Sequence, residues 1–557
     1  MKMWESKPIN FLKFLSAIFI AISLEGLPRK LINKLKSRGK SDEDFHQYNF
    51  PELKQSNSKL SDNLILLDSF SIPHWAVINT VAAQELGENA HSEVATFSFA
   101  NRSDFEEIMY GRLGVSIHLV VKLNFTTLLN VLKFFFKACK HIWRRNQIID
   151  FEIDGLNIGL DIYESFLRRG HATFDLFSRD LYREVWRGII EYFYFLPKFE
   201  KERITCVMVS HDNYVGPGLL TRIAYKYSVP VLLINPFELN ILDKSFQNYE
   251  RFRYYREYFS SQPISWQQES LLQAREELSS RINGVLGVGT MSYQVKSAFT
   301  HHRIASQITY SRNKKLLVLA HDFFDNPHAY SRMLFDDFYK WIDFLARTCL
   351  EENIDCYVKL HRDYSDIELK VILDLKKLHP HIVILDSEVS YHQLYEEGIR
   401  FVTTCYGSAG HELPLLGFTV INASYNPHIA YSFNYHASSI VEYGRLISEQ
   451  VDLVIDSDLE SEIYEFYSVH SFLMWPDNFN MGSYRDFAIK TQGNFAGKVA
   501  LAYLASNLDL ISEKVLSNLK EALTYRRTFS VERSLQNSLP HRWKAHDSRA
   551  SLFDKIN

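Results

Sequence analysis

Short apolar or β-branched runs alternate with helical patterns through the second half of the chain. Runs at 315–320, 355–360, 381–385 and 400–404 are separated by stretches at 332–350, 365–378 and 390–397 where apolar residues recur at helical spacing. A repeated β-α unit predicts a parallel sheet. The first half carries the same signature over 203–234. There an apolar strand (203–210) is followed by the loop His211-Asp212-Asn213-Tyr214-Val215-Gly216-Pro217-Gly218, a helix (219–227) and a second strand (229–234). Runs at 64–67 and 151–155 are expected to join that sheet, with a mostly helical insert between them. After residue 421 comes the turn-rich loop Asn422-Ala423-Ser424-Tyr425-Asn426-Pro427-His428. Helical patterns then run to about residue 525, before a polar tail.

In open parallel sheets, ligands bind beyond the carboxyl ends of the strands, where successive loops converge. Here those ends carry His321-Asp322-Phe323-Phe324-Asp325-Asn326-Pro327-His328, then His361, Asp386, Tyr406 to Gly410, and Asn422. Polar chemistry is therefore gathered on one rim. Tyr406-Gly407-Ser408-Ala409-Gly410-His411-Glu412 reads as a strand end, a small-residue turn and a short helix. Its backbone N–H groups are placed to hold an anion and Glu412 to accept hydroxyl protons, which outlines a nucleotide-sugar site.

At 557 residues the chain is too long for a single core and predicts two large domains with appendages. A net charge of only −4 argues against nucleic acid as a partner. Cys139, Cys206, Cys349, Cys356 and Cys405 show no CxxC spacing, which favours buried reduced thiols over disulfides or a metal. Aromatics mixed with charges, as at 254–259, fit a large core better than an exposed sugar platform. The apolar run at 14–24 is shorter than the roughly 20 residues that span a bilayer. It precedes Arg29, Lys30, Lys34, Lys36, Arg38 and Lys40 with no small-x-small cleavage site, so it reads as an interfacial anchor. At 128–145, Lys133, Lys137, Lys140 and Arg144 recur at helical spacing, as suits a helix lying on anionic lipid or a solvated face over a core. The expectation is a cytoplasmic protein, peripheral at the inner-membrane surface.

From residue 321 to 443 the chain resembles the C-terminal half of bacterial surface-polysaccharide glycosyltransferases of the capsule-biosynthesis class, the group that includes the capsule β-Kdo transferases. The residues that carry the resemblance are the HDFFDNPH loop, Leu334-Phe335-Asp336-Asp337-Phe338-Tyr339-Lys340-Trp341, Lys359-Leu360-His361, the YGSAGHELPLLG turn, and Asn422-Ala423 with Asn426-Pro427-His428. The N-terminal half is reached only through SHDNYVGPG. The resemblance implies an α/β, GT-B-like fold: two Rossmann-like domains facing across a cleft, with helical insertions and a helical C-terminal segment. Implied boundaries are a membrane-proximal segment at 1–44, an acceptor domain with a helical insert at 45–300, a nucleotide-sugar-binding domain at 301–460, and helices with a polar tail at 461–557. The implied activity moves a sugar from a nucleotide-activated donor, CMP-linked among the candidates, to a surface polysaccharide or lipid-linked glycan, with no tightly bound cofactor.

In that class the strand-end histidine usually reads Lys-x-His-Pro. Here Arg362 replaces the proline and would add charge beside a donor phosphate facing His361. The resemblance places Glu412 on ribose hydroxyls, Ser408 and the Gly407 and Gly410 backbone on phosphate, and Tyr406, Asn422 and His428 on the donor rim. Asp212, Asp322 and Asp325 are the carboxylates offered for the acceptor proton or the anomeric centre, with His211, His321, His328 and His436 as further cleft candidates. Asp and His also ligate metals, but GT-B enzymes usually hold phosphate with helix ends and basic residues, so no metal is expected. Alternatives that share the cleft are a CDP-glycerol-type glycerophosphotransferase, a nucleotide-sugar epimerase working without an acceptor, and a catalytically silent glycan-binding or assembly protein.

Overall fold

The computed structural model describes residues 63–536, apart from 124, 202, 245–247, 287–295, 331–332, 362–363, 424, 475–486, 488–489, 493 and 496. The basic segment at 1–44, Arg362, and the tail after 536 lie outside the described residues.

Two six-stranded sheets form the frame. The first draws on β1 (Asn63–Asp68), β2 (Glu93–Ser98) and β3 (Ile117–Val120). A separate hairpin follows, made of β4 (Glu152–Ile153) and β5 (Leu156–Asn157), and the sheet resumes with β6 (Arg203–Val209), β7 (Val231–Ile234) and β8 (Leu239–Leu242). Its order is β3-β2-β1-β6-β7-β8, parallel except for β8. The second sheet contains β9 (Lys315–Leu319), β10 (Asp355–Lys359), β11 (Val383–Leu385), β12 (Phe401–Thr404), β13 (Thr419–Asn422) and β14 (Tyr435–His436). Its order is β11-β10-β9-β12-β13-β14, all parallel. The fold is thus α/β and GT-B-like, with two Rossmann-like halves.

Each sheet is buried on both faces, as parallel sheets must be. Leu66, Val207 and Leu233 point to one side of the first sheet, against the helices Leu128–Arg145, Gly159–Leu167, Arg179–Lys201 and Leu219–Lys226. Ile65, Leu67, Met208 and Leu232 point to the other, where Leu501, Leu504, Ile511 and Val515 from the helices Lys498–Ser506 and Leu508–Gln536 complete the layer. The C-terminal helices therefore return to the N-terminal half. The helix Ile264–Ile282, which the sequence placed in a domain ending at 300, packs instead through Ala274 and Leu278 against Phe466 and Tyr467 of the helix Ser457–Tyr467.

Two further expectations differ. The 151–155 run does not enter the first sheet, because Asp154 (φ 51) and Gly155 (φ 75) turn the chain back at once. A two-residue Asp-Gly turn with both φ positive is the tight hairpin connection. The places in the sheet fall to β2 and β3, inside the stretch expected to be mostly helical. The helix expected from 332 begins at Phe338, because the Asp337 carboxylate caps it by accepting the Lys340 N–H at 2.7 Å. The same carboxylate accepts the hydroxyls of Tyr163 (2.5 Å) and Thr173 (2.9 Å) from the other half, so one buried side chain both starts a helix and fastens the two halves together.

Candidate functional site

Each sheet has one point where consecutive strands depart in opposite directions, and crevices open there beyond the strand ends. In the first sheet it lies between β1 and β6, which end at Asp68 and at Ser210-His211. In the second it lies between β9 and β12, which end at Ala320-His321 and Cys405-Tyr406-Gly407. The two crevices face each other, since the Tyr214 hydroxyl just beyond β6 donates to Asp325 of the HDFFDNPH loop at 3.3 Å.

On the C-terminal wall, His321 is held by stacking on Phe338 (5.1 Å) and by Tyr406 (4.6 Å). Its Nε2 accepts the Cys405 backbone N–H at 3.3 Å and lies 3.1 Å from Thr404 Oγ1. A ring that accepts through Nε2 carries its proton on Nδ1. Burial lowers its pKa to about 4, so it is a neutral N–H donor at physiological pH. The Tyr406 hydroxyl donates to the Asn326 carbonyl at 2.8 Å and ties the small-residue turn to the HDFFDNPH loop. Asp322 and Asp325 are exposed on that loop, and Asp322 accepts the Phe324 N–H at 2.9 Å as a turn former. His328 faces inward, with its Nε2 at 3.2 Å from the Asp336 carbonyl. His361 stands exposed at the end of β10.

Four expected donor contacts are corrected by burial. Glu412 is 3% exposed and both its oxygens are taken: Arg281 of the helix Ile264–Ile282 donates through Nε at 2.8 Å and through Nη2, and Ser408 Oγ donates at 3.0 Å. It does not offer a carboxylate to ribose. His428 is buried in a relay of neutral side chains. His411 Nδ1 lies 3.1 Å from His428 Nε2, His428 Nδ1 lies 3.1 Å from Asn426 Oδ1, Asn426 Nδ2 lies 3.2 Å from His436 Nδ1, and His436 Nε2 lies 3.2 Å from the Tyr431 carbonyl. Because the amide must accept at its oxygen and donate at its nitrogen, every proton in the relay has one place. Burial lowers the pKa of His411 to about 3 and of His436 to about 4. His428 thus belongs to the core beneath the turn, and the partly buried His436 has both ring nitrogens engaged within the same relay. Gly410 belongs there too. A Cβ on it would lie 2.4 Å from His428 Cε1, so glycine is needed for close packing. Gly410→Ala is expected to destabilise the protein by about 1–3 kcal/mol through overpacking, read as a lower urea midpoint at unchanged slope.

Asn422 is fully buried at the end of β13, inside rather than on the rim. Gly407 and Ser408 remain at the surface of the turn, half-buried. Among the described residues, no group of three His, Cys, Asp or Glu side chains is placed to hold a metal ion. All five cysteines are free and buried.

The N-terminal wall sets Asp68 and Arg168, which sequence reasoning missed, beside the expected His211 and Asp212. Asp68, half-buried at the end of β1, has its pKa raised to about 7 by burial, against the opposing pull of the Ser69 N–H and the Arg168 charge. Arg168 lies exposed with its guanidinium 4.6 Å from the Tyr214 ring centroid. His211 stacks on Trp75 at 5.5 Å, with its Nδ1 2.7 Å from Ser210 Oγ, and burial lowers its pKa to about 4. The loop is kinked at Gly216, which takes φ 111 while its N–H donates to Glu191 at 2.7 Å, and Tyr214 itself sits at φ 71, a strained value for a bulky residue. Asp212 lies beside the bidentate Arg222–Asp161 pair (2.5 and 3.2 Å), and burial raises its pKa. Asp68 could have been found by applying to β1 the strand-end rule that singled out His321 and Tyr406.

A cavity of about 1160 Å³ lies at the opposite end of the second sheet, lined by Arg275, Arg400, Gly417, Thr419 and Asp452. It opens near the amino ends of β12 and β13, away from the facing crevices.

Among solved structures the chain is similar to the β-Kdo 2,4 transferase KpsC of Thermosulfurimonas dismutans, at 14% identity over 48% of this chain and 79% of that one, with a TM-score of 0.28. It is similar to a glycosyltransferase of Rickettsia africae at 11% identity over 83% and 98% of the two chains, with a TM-score of 0.21. It is also similar to the UDP-GlcNAc 2-epimerase of Methanocaldococcus jannaschii, solved with UDP-GlcNAc and UDP, at 9% identity over 72% and 97%, with a TM-score of 0.20. No protein family matches the chain, and no curated protein does. Values this low carry nothing about what the chain binds, and its fold is read from its own two sheets.

Proposed function

We propose that this protein is a glycosyltransferase that moves a sugar from a nucleotide-activated donor to a glycan acceptor, a surface polysaccharide or a lipid-linked chain. The observation that carries the reading is the apposition of two sheet crevices, one ending in Asp68 and His211, the other in His321 and Tyr406. The donor sits on the C-terminal wall, with its phosphate toward the Gly407-Ser408 turn and the His321 and His361 side chains. Arg168 approaches from the other wall and offsets phosphate charge as the leaving group departs. Asp68 accepts the proton of the acceptor hydroxyl while the new C–O bond forms. The bond from the anomeric carbon to phosphate breaks, and its electron pair leaves on the phosphate oxygen. A carboxyl with a pKa near 7 combines basicity with a usable fraction ionised at neutral pH.

The test is a thermal-shift and calorimetric screen of CMP-, UDP-, GDP- and CDP-linked sugars. One nucleotide class is expected to raise the melting temperature, and Arg168→Ala to weaken that donor by about tenfold or more through loss of a charge-assisted contact. If no donor or free nucleotide changes the melting curve, the transferase reading falls and a catalytically silent protein of this fold takes its place.

A further inference from the structure

The helix Leu128–Arg145 presents two unlike faces. Val131, Phe135, Ala138, Cys139 and Ile142 are buried in a core shared with the helix Arg179–Lys201, where Phe135 meets Trp186 edge to face. The outward stripe at i, i+4, i+7, i+8, i+11 and i+15 is Leu129, Lys133, Phe136, Lys137, Lys140 and Arg144, all exposed. Apolar and cationic side chains share that face. Leu129 is 80% exposed and Phe136 51%, and Phe125 in the preceding turn is 89% exposed. Residues 121–147 also include Lys122 and Arg145 and no acidic residue, in a protein whose net charge is −4. Water is a poor solvent for such large apolar side chains, and a protein core or nucleic acid groove is a poor partner for the mixture. A bilayer interface suits both, because the rings enter the acyl boundary while the lysine stems reach up to the headgroups. Among the described residues no helix is long and apolar enough to cross a membrane.

We propose that this edge of the N-terminal half, Phe125 and the exposed stripe of the helix Leu128–Arg145, docks on an anionic lipid bilayer. The topology sets its orientation. Phe125 and Leu129 follow the carboxyl end of β3, the same edge of the sheet on which β1 ends at Asp68. β3 is separated from β1 by β2 alone, which puts the lines of the two strands about 10 Å apart. Docking therefore brings the mouth of the cleft to the membrane surface, where an acceptor carried on lipid can enter without leaving the bilayer. The surface follows from exposure and charge alone and does not depend on the transferase reading.

The test uses the full chain and vesicles of phosphatidylcholine with or without phosphatidylglycerol. Binding is expected only with phosphatidylglycerol. Lys133→Glu/Lys137→Glu/Lys140→Glu should lower the partition coefficient by about a hundredfold or more, and Phe125→Ser/Leu129→Ser by about tenfold or more. A second readout separates this surface from any other anchor. Because all five native cysteines are buried, a polarity-sensitive dye can be attached to Phe125→Cys, and its emission should shift to the blue on anionic vesicles. An unchanged dye spectrum on sedimenting protein would place the contact elsewhere and overturn the proposal. Loss with the Glu variants but none with the Ser pair would also overturn it, since the patch would then be a polyanion site without an apolar partner.

Discussion

Asp68→Asn should lower turnover by about 10² or more while leaving donor affinity within about twofold, because the amide keeps the shape and one acceptor but loses the basicity. The pH profile identifies the group. With a pKa near 7, Asp68 is ionised above that value and protonated below it. kcat/KM should therefore rise about tenfold per pH unit up to pH 7 and level off above it. His211 and His321, each near 4, change charge well below this range and cannot supply the limb. In Asp68→Asn the residual rate should lose that limb. Asp212→Asn is the control: a loss of 10² there, with Asp68→Asn near normal, would move the base to Asp212 beside Arg222.

Glu412→Ala should destabilise the protein by about 3–5 kcal/mol, because it leaves the Arg281 guanidinium buried without its carboxylate. The Arg281 side chain is only 6% exposed, so water is poorly placed to replace the lost partner. The measurement is the urea midpoint of the transition that reports the second sheet. Replacing the pair together, Arg281→Met with Glu412→Leu, should recover most of the loss, since it removes both charges from the interior. A folded Glu412→Ala protein that loses only nucleotide affinity would instead return Glu412 to the ribose and make the Arg281 contact a feature of the empty site.

The second sheet was legible because its strands and helices are short, regular and local. Predicted strands at 315–320, 355–360 and 400–404 became β9, β10 and β12 within a residue at each end. Serines at 365 and 390 start helices by the capping rules. The first sheet was less legible, since β2 and β3 sit among helices and the 151–155 run looks like a strand until the Asp-Gly turn is weighed. The site shows the same division. Strand-end position placed His321, His361 and Tyr406 at the crevice, because that depends only on topology. Glu412 went wrong because its partner comes from 131 residues away, and no local pattern announces a buried arginine. The histidines at 428 and 436 looked like rim residues for the same reason: His428 packs on Phe466 of the helix Ser457–Tyr467, and Asn426 joins it to His436.

The helices Lys498–Ser506 and Leu508–Gln536 have a consequence for biosynthesis. One face of the first sheet, laid down by residues 63–242, is covered by side chains as late as Leu519. A ribosome adding roughly 5–20 residues per second leaves Leu239 and Ile241 of β8, and the apolar side chains of the helix Pro73–Ala90 that those helices pack on, waiting tens of seconds for that cover. The half that is made first is therefore finished last, and a chain stopped before residue 498 would carry uncovered apolar side chains on β8 and on the helix Pro73–Ala90 into the cell.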